Sequence, residues 1–253
     1  MKKTIKILLV VVAIIAFSVL VTFVLLYNNG LSGLHKHTDA QEEQIKVACV
    51  GDSITYGHGI SGWENNNYPA KLQEILGEKY HVQNFGHSGR TLSPDGDQPY
   101  TESEQYRLSL EYNPDIIVLM LGSNDSKPEN WVDIDTFIHH LDNLIDTYRE
   151  ANPKVKIYLC TPANAFFSGD KNSGTTNYDI QPKIVDDIST AIKAYALTHM
   201  NKITNVIDIH DLTEYRADWF AKDNVHPSNE GAAAIAEEVA KKIKSKINNI
   251  IPH

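Results

Sequence analysis

Beyond residue 44 the chain alternates between two hydrophobic periods. Short apolar runs at 45–50, 81–85, 115–121, 155–161 and 203–209 have the length of buried strands. Between them, apolar residues recur at helical spacing from Tyr68 to Leu76. They do so again at Ile134, Phe137, Ile138, Leu141, Leu144, Ile145 and Tyr148, and at Ile180, Ile184, Ile188, Ile192 and Tyr195. A last helix carries Ile235, Val239, Ile243 and Ile247, with Ser228 placed to cap its start. Such alternation predicts an α/β domain: a parallel sheet covered by helices on both faces, three layers in all. The stretches 86–112 and 162–179 are long and polar. Loops of that length inside a compact α/β domain are usually functional.

The amino end follows a different rule. Ile7 to Tyr27 contains no charge and is preceded by Met-Lys-Lys-Thr-Ile-Lys. A secretory apolar region runs about 7–15 residues and a spanning helix needs about 20. No small-x-small cleavage pattern closely follows and no cysteine stands there for lipidation. The pattern therefore favours an uncleaved signal-anchor over a cleaved signal peptide, with the basic end in the cytoplasm and the remainder outside the cell membrane. The expected organisation is a transmembrane segment at 1–27, a polar tether at 28–44 and a catalytic domain at 45–253.

Composition narrows the classes of partner. Of 253 residues, 42% are apolar and 22% charged, which suits one good-sized core. The formal charge is −9, and no basic footprint for phosphates accompanies it, so nucleic acid is not expected as a partner. Cys49 and Cys160 fall in separate apolar runs. On non-neighbouring strands they would lie beyond bridging distance, so two buried thiols without a catalytic role are expected.

The chemistry gathers where the runs end. The first stops in Gly51-Asp52-Ser53, the second in Asn84-Phe85-Gly86-His87-Ser88-Gly89, the third in Leu121-Gly122-Ser123-Asn124-Asp125. Asp223-Asn224-Val225-His226-Pro227 precedes the last helix. In a parallel sheet these segments converge on one edge. A hydroxyl nucleophile needs a base, a group that orients the base, and donors for the oxyanion. Ser53 fills the first role, His226 the second, and Asp223, three residues earlier, the third. The N–H groups of Ser53 and Gly89 and the amide of Asn124 are the candidate oxyanion donors.

Gly51-Asp52-Ser53-Ile54-Thr55, Gly89, Gly122-x-Asn124-Asp125 and Asp223-x-x-His226-Pro227 resemble, in order, the four blocks of the SGNH hydrolases, the GDSL-type esterases and lipases. Ile54 stands where the founding motif has leucine. The resemblance implies a flavodoxin-like sandwich on a five-stranded parallel sheet. It implies a serine esterase working through an acyl-enzyme without cofactor or metal, and the same site residues. Tyr68-Pro69-Ala70-x-Leu72, Gly96-Asp97-x-Pro99-Tyr100 and Gly122 to Trp131 are similar to bacterial carbohydrate acetylesterases, including sialate O-acetylesterase-like members. That implies an O-acetylated glycan or small-molecule ester as substrate. Two alternatives stay open at this level: a longer-chain acyl esterase, lysophospholipase or thioesterase of the same fold, and an inactive carbohydrate-binding or adhesion module.

Other residues are weighed against these. Gly86-x-Ser88 begins like a nucleophile elbow, but position 90 is Arg90 where that motif needs glycine. His35 and His37 lie in the tether and are expected to be solvated, and the adjacent His139 and His140 cannot form an i, i+4 ligand pair. His58, His87, Asp125 and Trp131 stand near the active edge as candidate substrate contacts, and Trp63 and Trp219 as lesser ones. Asp52, beside the nucleophile, is also counted among the contacts, with hydrogen bonding of the turn as its expected work.

Overall fold

A computed structural model describes the backbone of residues 2–28, 35–167 and 176–248, and side chains over 9–24, 35–167 and 176–245. In chain order the elements are α1 (Lys2–Asn28), β1 (Ile45–Gly51), α2 (Ser53–Tyr56), α3 (Trp63–Asn66), α4 (Tyr68–Leu76) and β2 (Tyr80–Gly86). There follow α5 (Glu104–Glu111), β3 (Ile116–Met120), α6 (Ile134–Ala151), β4 (Lys156–Cys160), α7 (Pro182–Thr198), β5 (Asn205–Ile207), α8 (Ile209–Thr213) and α9 (Asn229–Asn248).

The five strands form one parallel sheet in the order β2-β1-β3-β4-β5. Side chains on a strand alternate between faces, and the core divides accordingly. Val47, Cys49, Ile116, Val118, Met120 and Tyr158 pack on one face with Leu72 of α4 and Ile235, Val239 and Ile243 of α9. Ala48, Val50, Ile117, Leu119, Ile157 and Leu159 pack on the other with residues of α6 and α7, among them Phe137, Leu141, Ile188 and Ile192. Burial on both faces is why these strands read as unbroken apolar runs. In register, Gly51 stands opposite Gly86 and Met120. The carboxyl ends of β1, β2 and β3 therefore line up where the strand order reverses, and a crevice opens there.

Two elements depart from the periodic reading. α5 lies inside the stretch read as loop, because its apolar residues Tyr106, Leu108 and Leu110 alternate and show no helical period. Its start is set instead by Ser103, which accepts from the Tyr106 N–H at 3.1 Å, and Arg107 bridges Glu104 and Glu111. β5 is shorter than the run at 203–209, because Asp208 turns the chain by accepting from the Asp211 N–H at 3.0 Å at the start of α8. Ser228 does stand before α9, its hydroxyl 3.4 Å from the Gly231 N–H. The side chain of Ile247 lies outside the described residues.

α1 is a 27-residue helix, about 40 Å at 1.5 Å per residue. Its described side chains, residues 9–24, are mostly apolar and exposed. Among the described residues no helix is long and apolar enough to cross a membrane. Residues 29–34 of the tether lie outside the described part. Residues 35–38 correct the expectation of a solvated tether, because they are fastened to the domain. His35 packs at a tilt against Trp63, ring centroids 4.4 Å apart, and donates to the Tyr56 carbonyl at 3.0 Å. His37 lies flat on Phe85 at 4.6 Å and donates to Gln83 Oε1. Burial holds the His35 ring neutral, its pKa down at about 4. Cys49 and Cys160 are buried free thiols on β1 and β4, with β3 between them.

Candidate active site

Ser53 is the first residue of α2, one step beyond the turn that ends β1. The turn is tight enough that a Cβ on Gly51 would collide with the Thr55 side chain and the Met120 carbonyl. Asp52 caps α2, its carboxylate accepting from the Ile54 N–H at 2.9 Å. It is 1% exposed, and burial pushes its pKa up to about 6 against the pull of that bond. The Ser53 N–H, first in its helix, has no intrahelical acceptor. Ser53 lines the cavity at the crevice edge.

His226 and Asp223 are positioned by their own turn. Asn224 adopts φ +60° between them. Asp223 Oδ1 accepts from the N–H groups of Val225 at 3.0 Å and His226 at 2.9 Å, and Oδ2 accepts from His226 Nδ1 at 2.9 Å. Burial opposes the Asp223 charge, but these hydrogen bonds outweigh it and hold the carboxyl down at about 2. With Nδ1 committed as donor, Nε2 is left as acceptor, and it lies 2.9 Å from Ser53 Oγ. His226 is 4% exposed. The chain Asp223–His226–Ser53, drawn from residues 173 positions apart between the histidine and the serine, has the geometry of a nucleophile, a base and its orienting acid.

The candidate oxyanion donors border the same cavity. Gly89 has φ +80°, a conformation that favours glycine. Asn124 is 6% exposed and spends one amide hydrogen on the Arg90 carbonyl at 3.1 Å. Its other hydrogen is left over. Among the described residues, neither the Ser53 nor the Gly89 N–H donates to a protein acceptor. The cavity holds about 100 Å³ and is lined by the triad serine and histidine, the donors, Ser88, Ser123 and apolar Ile54, Ile180 and Val225.

His58 of the candidate contacts does line it, its ring 4.5 Å from that of His226. Burial and the neighbouring His226 bring the His58 pKa down to about 4, so its ring borders the cavity in the neutral form. The other four candidate contacts lie outside the cavity lining. Asp52 is spent on its cap. Asp125 is 2% exposed and accepts from the N–H groups of Leu92 and Ser93 at 2.9 and 2.8 Å. His87 turns its ring to Arg90, 3.3 Å away. Trp131 packs into the core beside α6. Nor do the other two tryptophans reach the cavity: Trp63 is buried under His35 and Tyr56, and Trp219 stacks with Arg216.

The aromatic residue that does line the cavity is Tyr178, absent from the sequence reading. Its ring is half exposed and meets the His226 ring edge-on at 5.1 Å. Tyr178 and Asp179 both have positive φ, and the turn is tied to the triad by a hydrogen bond from Asn177 Nδ2 to the Asp223 carbonyl at 3.0 Å. Nothing in a polar loop at 162–179 signals which residue reaches the site. Lys127, also on the rim, belongs to the motif around Asn124.

Residues 49–234 match the GDSL-like Lipase/Acylhydrolase family. The chain is 36% identical over 226 residues to an acetylxylan esterase of Xylanibacter ruminicola, covering 81% of this chain and 44% of that protein. It is 27% identical over 225 residues to a multidomain esterase of Ruminococcus flavefaciens, covering 74% of this chain and 27% of that one. The chain thus spans less than half the length of either relative. A carbohydrate acetylesterase from Sinorhizobium meliloti has the same fold, with TM-score 0.62 at 19% identity over 80% of this chain and all of the other. The chain belongs to the GDSL-like lipase/acylhydrolase family, the SGNH hydrolases.

Proposed function

We propose that the protein is a serine esterase that removes acetyl groups from O-acetylated carbohydrates. The observation that carries the reading is the unbroken chain from Asp223 through His226 to Ser53, at 2.9 Å for each link. Ser53 Oγ attacks the ester carbonyl carbon while His226 Nε2 takes its proton. The carbonyl oxygen, now negative, is held by the N–H groups of Ser53 and Gly89 and the Asn124 amide. The tetrahedral centre collapses, the sugar hydroxyl leaves with the proton from His226, and an acetyl group remains on Ser53. Water then attacks that ester with His226 as base, acetate departs, and Ser53 recovers its proton.

The acetyl preference rests on the cavity and on the relatives. The cavity beside Ser53 is walled by the apolar side chains of Ile54, Ile180 and Val225. An acetyl group has three heavy atoms and an octanoyl group nine. The acetylxylan esterase similarity points to a glycan on the alcohol side. Comparing acetyl with octanoyl p-nitrophenyl esters tests the short-chain reading, and a preference for octanoyl would sink it. Release of acetate from acetylated xylan, set against other acetylated glycans, tests the substrate class. A wild-type protein that turned over no ester would leave a binding module as the better reading.

The reading includes an extracytoplasmic setting, with residues 1–27 as a signal-anchor. What supports it is the uncharged run Ile7 to Tyr27 behind three lysines. Fractionation of cells expressing the full chain tests it: recovery with membranes and release only by detergent is expected, and a soluble cytosolic protein would overturn it.

A further inference from the structure

We infer that Asp125 is a positioning residue that holds the two loop-borne oxyanion donors, Gly89 and Asn124, at a fixed distance from each other. The inference rests on the reading of Ser53, Gly89 and Asn124 as oxyanion donors. Gly89 and Asn124 come from loops after different strands, β2 and β3, and no ladder bond joins those strands, which flank β1. The sheet fixes the strand ends through β1, but Gly89 and Asn124 lie beyond those ends, where contacts between the loops act on their separation. Asp125 follows Asn124 directly, and its two oxygens accept from consecutive N–H groups, Leu92 at 2.9 Å and Ser93 at 2.8 Å. The neighbouring Asn124 amide takes the Arg90 carbonyl at 3.1 Å. Two adjacent side chains thus grip residues 90–93, one step past Gly89. Farther out, Asn130 and Asp97 exchange reciprocal bonds of 2.9 Å between the same two loops, and Asn130 Nδ2 returns to the Asn124 carbonyl at 3.0 Å.

The chemistry of the grip calls for a carboxylate. Two parallel N–H donors need two acceptors, which Asp supplies and Asn does not. The arrangement is costly, because Asp125 is 2% exposed and the charged group that bears on it is another carboxylate, Asp52. A purely structural tie between loops has no need of a buried, unpaired charge beside the reaction centre. Holding donors rigid before the oxyanion forms does, since preorganised donors need no rearrangement as charge develops.

The test is steady-state kinetics on p-nitrophenyl acetate with the full chain. Asp125→Asn should lower kcat about 10- to 100-fold with KM within twofold. In an Asn124→Ala background the same change should cost much less, because one of the two donors whose spacing it sets is already gone. Asp97→Ala, at the outer end of the grip and less demanding of the fold, should lower kcat about 3- to 10-fold with KM unchanged. Thermal melts accompany each variant. A folded Asp125→Asn with wild-type kcat, or one whose loss falls on KM, overturns the inference. So does full additivity with Asn124→Ala. Should Asp125→Asn fail to fold, wild-type kcat in Asp97→Ala overturns it. Turnover surviving in Ser53→Ala would instead sink the triad reading beneath it, so the two failures are told apart.

Discussion

Ser53, His226 and Asp223 form a unit, and their substitutions should behave as one. Ser53→Ala is expected to lower kcat by at least about 10³-fold, and adding His226→Ala should lower it little further, because neither group works without the other. Steady-state rates of the single and double variants check this. Asn124→Ala should lower kcat by about 10²-fold with a small change in KM, as removal of one oxyanion donor does. The buried carboxylates make a separate prediction about stability. The folded-state pKa of Asp52, about 6, lies above its unfolded value near 3.9. Its contribution to stability is therefore full below about pH 4 and lost as the pH rises through about 6. Asn is as good a helix cap as Asp. Asp52→Asn should match the wild type in melting temperature at pH 4 and exceed it increasingly from pH 4 to 7. A gap that does not change with pH would refute the account. Asp223 has the opposite sign: with its pKa at about 2, its contribution is present above about pH 4 and lost as the pH falls through 2.

At the scale of elements, the site depends on how α7 and β3 meet. Gly122, which follows β3, would drive a Cβ against Ile188 of α7 and Phe137 of α6. These side chains back the turn that carries Ser123 and Asn124. Ile188 is fully buried. Ile188→Ala should cost about 2–5 kcal/mol through the cavity it leaves, measured by denaturant unfolding. Its activity should fall as well, since the floor under Asn124 loosens. The helices most visible in the chain, α4, α6, α7 and α9, are those with a long apolar stripe. Among those it hides, α2, α5 and α8 are short and defined by caps: Asp52, Ser103 and Asp208 each bind an N–H of the first turn. A cap is one side chain and leaves no period to detect.

At the scale of the molecule, the proposed esterase activity makes a prediction about the acyl group, because Ile54, Ile180 and Val225 wall the cavity beside Ser53. A profile over acetyl, butanoyl and octanoyl esters should fall steeply after the shortest. The sheet order explains why residues near 50, 89, 124 and 226 meet at all. Chain reversal between β1 and β3 opens the crevice, and the loops after β2 and β3 close it from either side.

The sequence by itself determined the strands and their edge. Short continuous apolar runs bounded by turn residues and alternating with helical periods read as buried strands, and that logic is local. It also singled out Ser53, Asp223 and His226, which the fold brings into one hydrogen-bonded chain, because a serine at such an end with an Asp-x-x-His unit downstream satisfies a chemical need few other patterns meet. Tertiary structure alone decided which polar residues near the edge line the cavity. Asp52, Asp125 and His87 are closer in sequence to the site residues than His58 is, and Trp131 is only slightly farther, yet the first two are spent on backbone N–H groups and the others turn toward Arg90 and the core. Tyr178 reaches His226 only because two residues in a distant loop adopt positive φ. The direction a side chain takes in a loop depends on partners tens of residues away. No period or spacing records those partners.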